Sequence, residues 1–534
     1  MQTFLSAPRH GWKSWKSGII LALLAMPSLA MAADEGLPKL GLSPGEPQVR
    51  SATPSIPFGV SPAESKEFVL DFHGYLLLPA TIGIHDRPVT MRVDPNAPAT
   101  QPDGSATPAT IPTGGGTVIH APALLPQDLR SFAYTAVVPT PWAQMNFVYG
   151  NSTVSGTVIM AASTLSDAAG YYDPVKQLGV NDAFLTVNAT KFFGFPFQLH
   201  VGAYTGRYGA MGAYDAGRYA TPLIARTNSI GETVITGYKF GQFFLVLEEG
   251  LGGQLGRPPV GLVPAGWNDF ADANVGATLV GHAHLGLSYA GVGRLGLHYL
   301  GAWTKDDQVP GGQIPNGRIQ VFGADLNVTA GRAGHLYLGF ARTEARNAAT
   351  VSGAIEILNA RGGPELMAQY LGTGTNRNGL PSAGNGSLTT FGAQYDLSVS
   401  RLVFGSLYTG TSPDVLLSLF SIGTAVKSDE ADRDGVFKVK VGGEATYLMM
   451  SWLGVSERVD HVRLQGSDSK NAFSIFSSRV LFHTGWRSKD EFALQYSYVQ
   501  AGSDVYVQTG FPPGTAPNAN PDRHVITLSG TFWW

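Results

Sequence analysis

Apolar and polar residues alternate singly along most of this chain, in short runs that come in pairs. In NDAFLTVNAT, Ala183, Leu185, Val187 and Ala189 share one face, with Asp182, Thr186 and Asn188 on the other beside Phe184. After a tight turn near Phe193–Gly194, Phe197, Leu199, Val201 and Ala203 alternate with Gln198, His200, Gly202 and Tyr204. Successive side chains of a strand point to opposite faces, so this pair predicts a hairpin with one apolar side. The unit recurs in TVITGYKF with FFLVLEEG, TLVGHAHLGLSYA with RLGLHYLGAWT, RIQVFGADLNVT with HLYLGFART, and LTTFGAQYDLSV with LVFGSLYTG, the last turning at Ser400–Arg401. VFKVKVGGEATYLMMSW with RVDHVRLQG, and AFSIFSSRVLFHTGW with EFALQYSYVQ, complete the series. FVLDFHGYLLL, WAQMNFVYGN and STVSGTVIMAA alternate less cleanly.

Longer polar stretches separate the hairpins, at 206–231, 251–272, 346–386, 412–435 and 502–521. Residues 79–141 read as the longest strandless stretch, a surface loop. Two stretches predict short helices in outer loops: SPDVLLSLFSIG, with Ser412 as cap and Pro413 at the first helical position, and GPELMAQYLG. Short turns at one end and long loops at the other are the pattern of a membrane barrel whose short turns face the periplasm. The count is about 18 strands, with 16 as the alternative; an even count puts both termini in the periplasm.

The chain ends TLSGTFWW. Leu528, Phe532 and Trp534 share one face of a final strand, whose other face is mainly polar. This segment resembles the C-terminal signal of Gram-negative outer-membrane β-barrels. That resemblance implies recognition by the β-barrel assembly machinery, with Trp534, Phe532 and Leu528 as the assembly signal. At the other end, Arg9, Lys13 and Lys16 precede the apolar run GIILALLAM, then PSLAMA, which reads as a signal peptide over 1–32 cleaved after Ala32. Residues 33–66 are rich in proline and glycine and read as a periplasmic segment without its own core. The barrel is expected over 67–534.

Composition fits an all-β transmembrane antiparallel barrel. Charged residues are 14%, against about 25% in soluble chains, glycines number 67 and aromatics are 10%. A net charge of −3 and the lack of any cysteine give no sign of a nucleic-acid partner or a disulfide framework. GVGRLG (291–296) has dinucleotide-site spacing, but a strand pattern follows instead of a helix, so it reads as a hairpin turn. EADRDG (430–435) starts like a calcium loop and has Val441 where the bidentate glutamate belongs. No metal, cofactor or catalytic pattern stands out, and no enzyme is expected.

In strand pattern and terminal signal the chain resembles Gram-negative porins over nearly its whole mature length. The resemblance implies passive diffusion of small hydrophilic solutes, an outer-membrane lipid environment and a homotrimer. Alternatives are a substrate-specific transporter plugged by the N-terminal segment, and an adhesion or structural barrel. Polar strand faces would line the pore: Lys438, Lys440 and Glu444; Glu457, His461 and Arg463; Arg479, His483 and Glu491; and Asp182, His200, Arg294 and His298. The loop after the fifth strand mixes Arg207, Arg218 and Arg226 with Tyr208, Tyr214, Tyr219 and Asp215, which suits a constriction and sugar-like solutes. Basic groups around Lys438, Lys440 and Arg463 lead to an expected anion preference.

Overall fold

The computed structural model describes residues 67–87, 90–93, 110–113, 116–120, 142–162, 178–192, 195–214, 219–254, 278–290, 292–304, 317–348, 351, 385–405, 413–428, 435, 437–464, 472–482, 489–502 and 524–533. Its strands are β1 Val69–Arg87, β2 Thr90–Val93, β3 Thr110–Thr113, β4 Gly116–His120, β5 Trp142–Gly150, β6 Val154–Ala162 and β7 Leu178–Phe192. They continue with β8 Phe195–Tyr214, β9 Tyr219–Phe240, β10 Phe243–Gln254, β11 Thr278–Tyr289, β12 Gly293–Thr304, β13 Arg318–Thr329 and β14 His335–Arg346. The remainder are β15 Gly386–Ser398, β16 Asp414–Ser428, β17 Phe437–Met450, β18 Leu453–Leu464, β19 Phe473–Phe482, β20 Lys489–Ala501 and β21 His524–Trp533. One short helix, α1 Val399–Phe404, follows β15.

From β5 to β21 each strand pairs antiparallel with the next, and β1 pairs with both β5 and β21. The eighteen strands β1 and β5 to β21 therefore close into a ring, with β4 added to the far end of β1. Closure occurs between Tyr75↔Trp533 and Ile84↔His524. It leaves no open edge, the condition for a sheet in lipid, where an unpaired backbone group costs several kcal/mol.

Period-2 alternation sorts the side chains into two faces. One carries exposed apolar residues such as Leu185, Val201, Leu247, Leu285, Leu297, Phe322, Phe340, Phe391, Val441, Val459, Phe476, Leu494 and Leu528. The other carries buried polar ones, among them Asp182, Thr186, His200, Glu248, His282, His298, Lys440, Arg458 and Gln495. A membrane barrel has this inversion, with lipid outside and polar groups inside. Leu528 and Phe532 of the terminal segment lie on the apolar outer face, exposed. Trp534 and residues 1–66, which hold the expected signal peptide and periplasmic segment, lie outside the described residues.

Several turns are short because the residues allow it. Gly241, with Gln242 the two-residue link between β9 and β10, has a φ of 62°, a conformation glycine adopts without steric cost. GVGRLG spans the β11–β12 turn, as its strand pattern predicts.

Four sequence expectations are corrected. SPDVLLSLFSIG is strand, not helix: it opens β16, where Leu417 and Leu419 join the outer face and Leu416 and Phe420 the inner. LVFGSLYTG, the expected hairpin partner of LTTFGAQYDLSV, instead starts in α1, capped by Ser398 Oγ accepting from the Arg401 amide at 3.1 Å. One strand is exchanged for another, so the count of eighteen stands. Residues 79–141 contain the outer half of β1 and the short strands β2, β3 and β4, so they are not strandless. Lastly, much of the 206–231 loop is paired strand. β8 leaves β7 after Ala203 and β9 joins β10 only from Ile230, and in between the two pair with each other. GPELMAQYLG and residues 430–434 lie outside the described residues.

Candidate pore lining

Beyond the wall, the β8–β9 arm passes alongside β12, β13, β14 and β15, strands four to seven places further round the ring. An arm that reaches them crosses the bore. It does so toward the end where the long connections leave, because inward residues there are buried and largely apolar: Leu300 and Ala302, Ile319 and Val321, Ala341 and Thr343, Leu388 and Thr390. Arg207, Tyr208 and Tyr214 sit in β8, and Tyr219 and Arg226 in β9, on this arm. Register sets Arg207 directly opposite Arg226 and Tyr214 opposite Tyr219. Asp215 and Arg218 lie outside the described residues.

Below the arm, two ionic clusters occupy different sectors of the inner wall. On β17, β18 and β19, Asp460 accepts from Lys440 Nζ at 3.0 Å and takes both prongs of Arg458, Nε at 2.8 Å and Nη2 at 2.9 Å. Arg458 Nη1 also reaches Glu444 at 3.4 Å, and Glu444 in turn pairs with Arg479 and accepts from Ser456 Oγ at 2.6 Å. Phe420 on β16 lies beneath both cations, 4.5 Å from the Arg458 guanidinium and 5.2 Å from Lys440 Nζ. A planar fork suits a carboxylate on one side and an aromatic face on the other, which is why arginine holds the centre. Lys438 extends the basic edge and is buried.

The second cluster lies on β10 to β13. Glu248 faces His282 at 3.4 Å and His284 at 3.9 Å. The His284 ring stacks on His298 with centroids 4.5 Å apart, His298 pairs with Asp325, and Arg294 Nη2 lies 3.2 Å from His284 Nε2. Glycine makes the room: a Cβ on Gly250 would strike the His282 ring, and one on Gly296 would strike Asp325 and His298. No group of three or more ligands suited to a metal ion occurs among the described residues.

Of the sequence-predicted lining, Lys438, Lys440, Glu444, Arg479, Asp182, His200, Arg294 and His298 lie on the inner face. Glu457, His461 and Arg463 do not. They share the outer face with Val455 and Val459, Glu457 accepting from Ser478 Oγ at 2.7 Å and His461 lying 2.9 Å from Ser474 Oγ. The cause is a register choice. β18 has apolar residues on both faces, and placing Glu457, His461 and Arg463 inside turns Val462 and Leu464 outward and inverts the strand; Val462 is buried inside. His483 lies outside the described residues, and Glu491 is placed only as a β20 position. The inversion hid Arg458 and Asp460, both fully buried at the centre of the site. Pairing could have found them, since β17 sets Glu444 opposite Arg458, a matched pair, and Ala445 opposite Glu457. Glu248, His282, His284, Asp325 and Phe420 were also missed, although the inward parity of β11 and β12 includes both His282 and His284.

No protein-family model and no curated protein sequence matches the chain. Solved structures similar to it include the outer membrane channel DcaP of Acinetobacter baumannii, at 10% identity over 88% of this chain and 99% of that one, TM-score 0.36. An anion-selective porin from Comamonas acidovorans matches at 8% identity over 88% and 99%, TM-score 0.34. Wzi of Escherichia coli, a carbohydrate-binding β-barrel involved in capsule assembly, matches at 10% over 87% and 84%, TM-score 0.38. None of these transfers a residue or an activity. Its closed ring of eighteen antiparallel strands, apolar outside and charged within, makes the chain an antiparallel β-barrel of the transmembrane type.

Proposed function

We propose that the protein is an outer-membrane channel for passive diffusion of small hydrophilic solutes, narrowed by the β8–β9 arm. The observation that carries this reading is the closed eighteen-strand ring with ionisable side chains on its inner wall. Side chains alone fill barrels of about eight strands, whereas 16–18 strands leave room for a water path.

The wall is electrically divided. In the sector from β17 to β19, Lys438, Lys440, Arg458 and Arg479 outnumber Glu444 and Asp460. From β10 to β16, Glu248, Asp325, Asp396 and Asp414 outnumber Arg294. A field across the bore orients dipolar solutes, while the balance of signs gives weak ion selectivity. That replaces the anion preference drawn from a sequence count that placed Arg463 inside. Paired tyrosines and arginines on the arm retain the features that suit sugar-like solutes. A homotrimer and insertion by the β-barrel assembly machinery belong to this proposal.

The test is single-channel conductance of the purified full chain in a planar bilayer, with and without the arm. Stepwise conductance that rises when residues 205–228 are replaced by a short Gly-Ser turn supports a channel narrowed by the arm. A wild type that inserts without conducting removes the channel reading and favours the adhesion or structural alternative.

A further inference from the structure

The outer face carries one strongly basic patch. Arg318 begins β13 and Arg346 ends β14, directly opposite one another in register, exposed, and on the same face as Phe322 and Phe340. Lys427 on β16 and Arg342 on β14 flank them, also exposed. Glu344 is the patch's acid among the described residues, and it is held by Arg342 at 2.9 Å. Four cations thus stand against one anion, and among the described residues Arg318 and Arg346 have no acidic partner.

Two features give this arrangement a purpose. Like charges directly opposite on neighbouring strands are destabilising unless something lies between them. Depth supplies the second. Moving down the same outer face toward the short turns, β13 continues with Phe322, Ala324 and Leu326, and β14 with Phe340 and Leu338. Trp303 on β12 sits beside Arg318 in register. Charge therefore begins where the apolar band ends, at the rim with the long connections, and that rim meets the lipid headgroups. Arginine's fork matches phosphate oxygens two at a time.

We propose that the β13–β16 rim binds the phosphate of an anionic glycolipid of the outer leaflet, with Arg318 and Arg346 as the clamp and Arg342 and Lys427 as flanking cations. The lipid's acyl chains would lie over Phe322, Phe340 and Phe391. The inference rests on the barrel's placement in the outer membrane and is independent of whether the bore conducts.

The experiment measures binding of lipid A to the purified full chain in neutral detergent, comparing wild type, R318Q/R346Q, and K239Q, which changes an exposed lysine at the opposite end of β9. With about 1 kcal/mol per cation near an anionic surface, the double variant should bind roughly thirtyfold more weakly. K239Q should bind as wild type. Wild-type binding should also weaken as salt rises from about 0.1 M to about 1 M, a readout that stands even where the double variant folds poorly. Equal binding by wild type and R318Q/R346Q overturns the proposal. So does equal affinity for phosphatidylcholine, and so does full competition by inorganic phosphate, which would indicate a free-anion site. Loss of oligomers in the double variant with lipid A binding unchanged would assign the patch to contact with a second copy, and would equally overturn it.

Discussion

Replacing Asp460 with alanine tests the inner wall most directly. Asp460 is fully buried and accepts three charge-assisted hydrogen bonds, from Lys440 at 3.0 Å and Arg458 at 2.8 and 2.9 Å. Each such bond contributes about 1.5–3 kcal/mol, so a simple sum would be about 4.5–9 kcal/mol. The sum overstates the effect, because Arg458 keeps Glu444 within 3.4 Å and the face of Phe420 at 4.5 Å. Lys440 keeps the face of Phe420 at 5.2 Å. Removing one partner of a buried ion pair costs about 3–5 kcal/mol, and D460A should fall in that range. Replacing Lys440 with methionine in the same chain removes the ammonium that Asp460 faced and should restore part of the loss.

The assay is reversible urea unfolding of the barrel in lipid vesicles, followed by tryptophan fluorescence. A loss below about 1 kcal/mol, the scale of a solvated ion pair, would refute the reasoning, because it would mean that water in the bore solvates Lys440 and Arg458. Lys438 lies two residues from Lys440 on the same face of β17. Both are buried here, and a charge-neutralising variant of either should cost measurable stability.

Further predictions follow from the wall's two faces. V201R places a charge on the lipid face and should cost about 2–4 kcal/mol near mid-membrane, whereas Q198R, on the inner face, should cost much less; equal costs in the same unfolding assay would contradict the register. Deleting Trp534, or replacing it with aspartate, should lower the yield of heat-resistant barrel in outer membranes, and a truncated chain inserting at normal yield would count against the assembly signal. G296A should push a methyl into His298 and Asp325 and lower the melting temperature, while G156A, whose added Cβ meets nothing within 4 Å, should leave it near wild type.

The barrel was legible because its signal is repeated in every hairpin and rests on nearest-neighbour geometry. A misread element costs little in such a fold: LVFGSLYTG was read as strand and SPDVLLSLFSIG as helix, yet the eighteen-strand ring is unchanged because β16 takes the missing place. The arm was harder. A hairpin inside the bore has no lipid face, so 206–231 lacks the apolar alternation that identifies strands, and only its composition marked it as something that could narrow a channel.

The inner wall was read strand by strand and failed where single-strand evidence is symmetric. On β18, Leu453, Val455 and Val459 compete with Val462 and Leu464 for the lipid side, and a one-residue slip exchanges Arg458 and Asp460 for Glu457, His461 and Arg463. Hydrophobicity could not separate the two registers, because the arm and its surroundings make part of the inner wall apolar as well. Charge pairing across strands separates them. The observed register sets Arg458 opposite Glu444 and Asp460 diagonal to Lys440, whereas a one-residue slip would set an inward Glu457 opposite Glu444 or Thr446. The lining of a barrel is therefore a property of strand pairs, and the buried ions of β17, β18 and β19 become identifiable only when the three strands are aligned together.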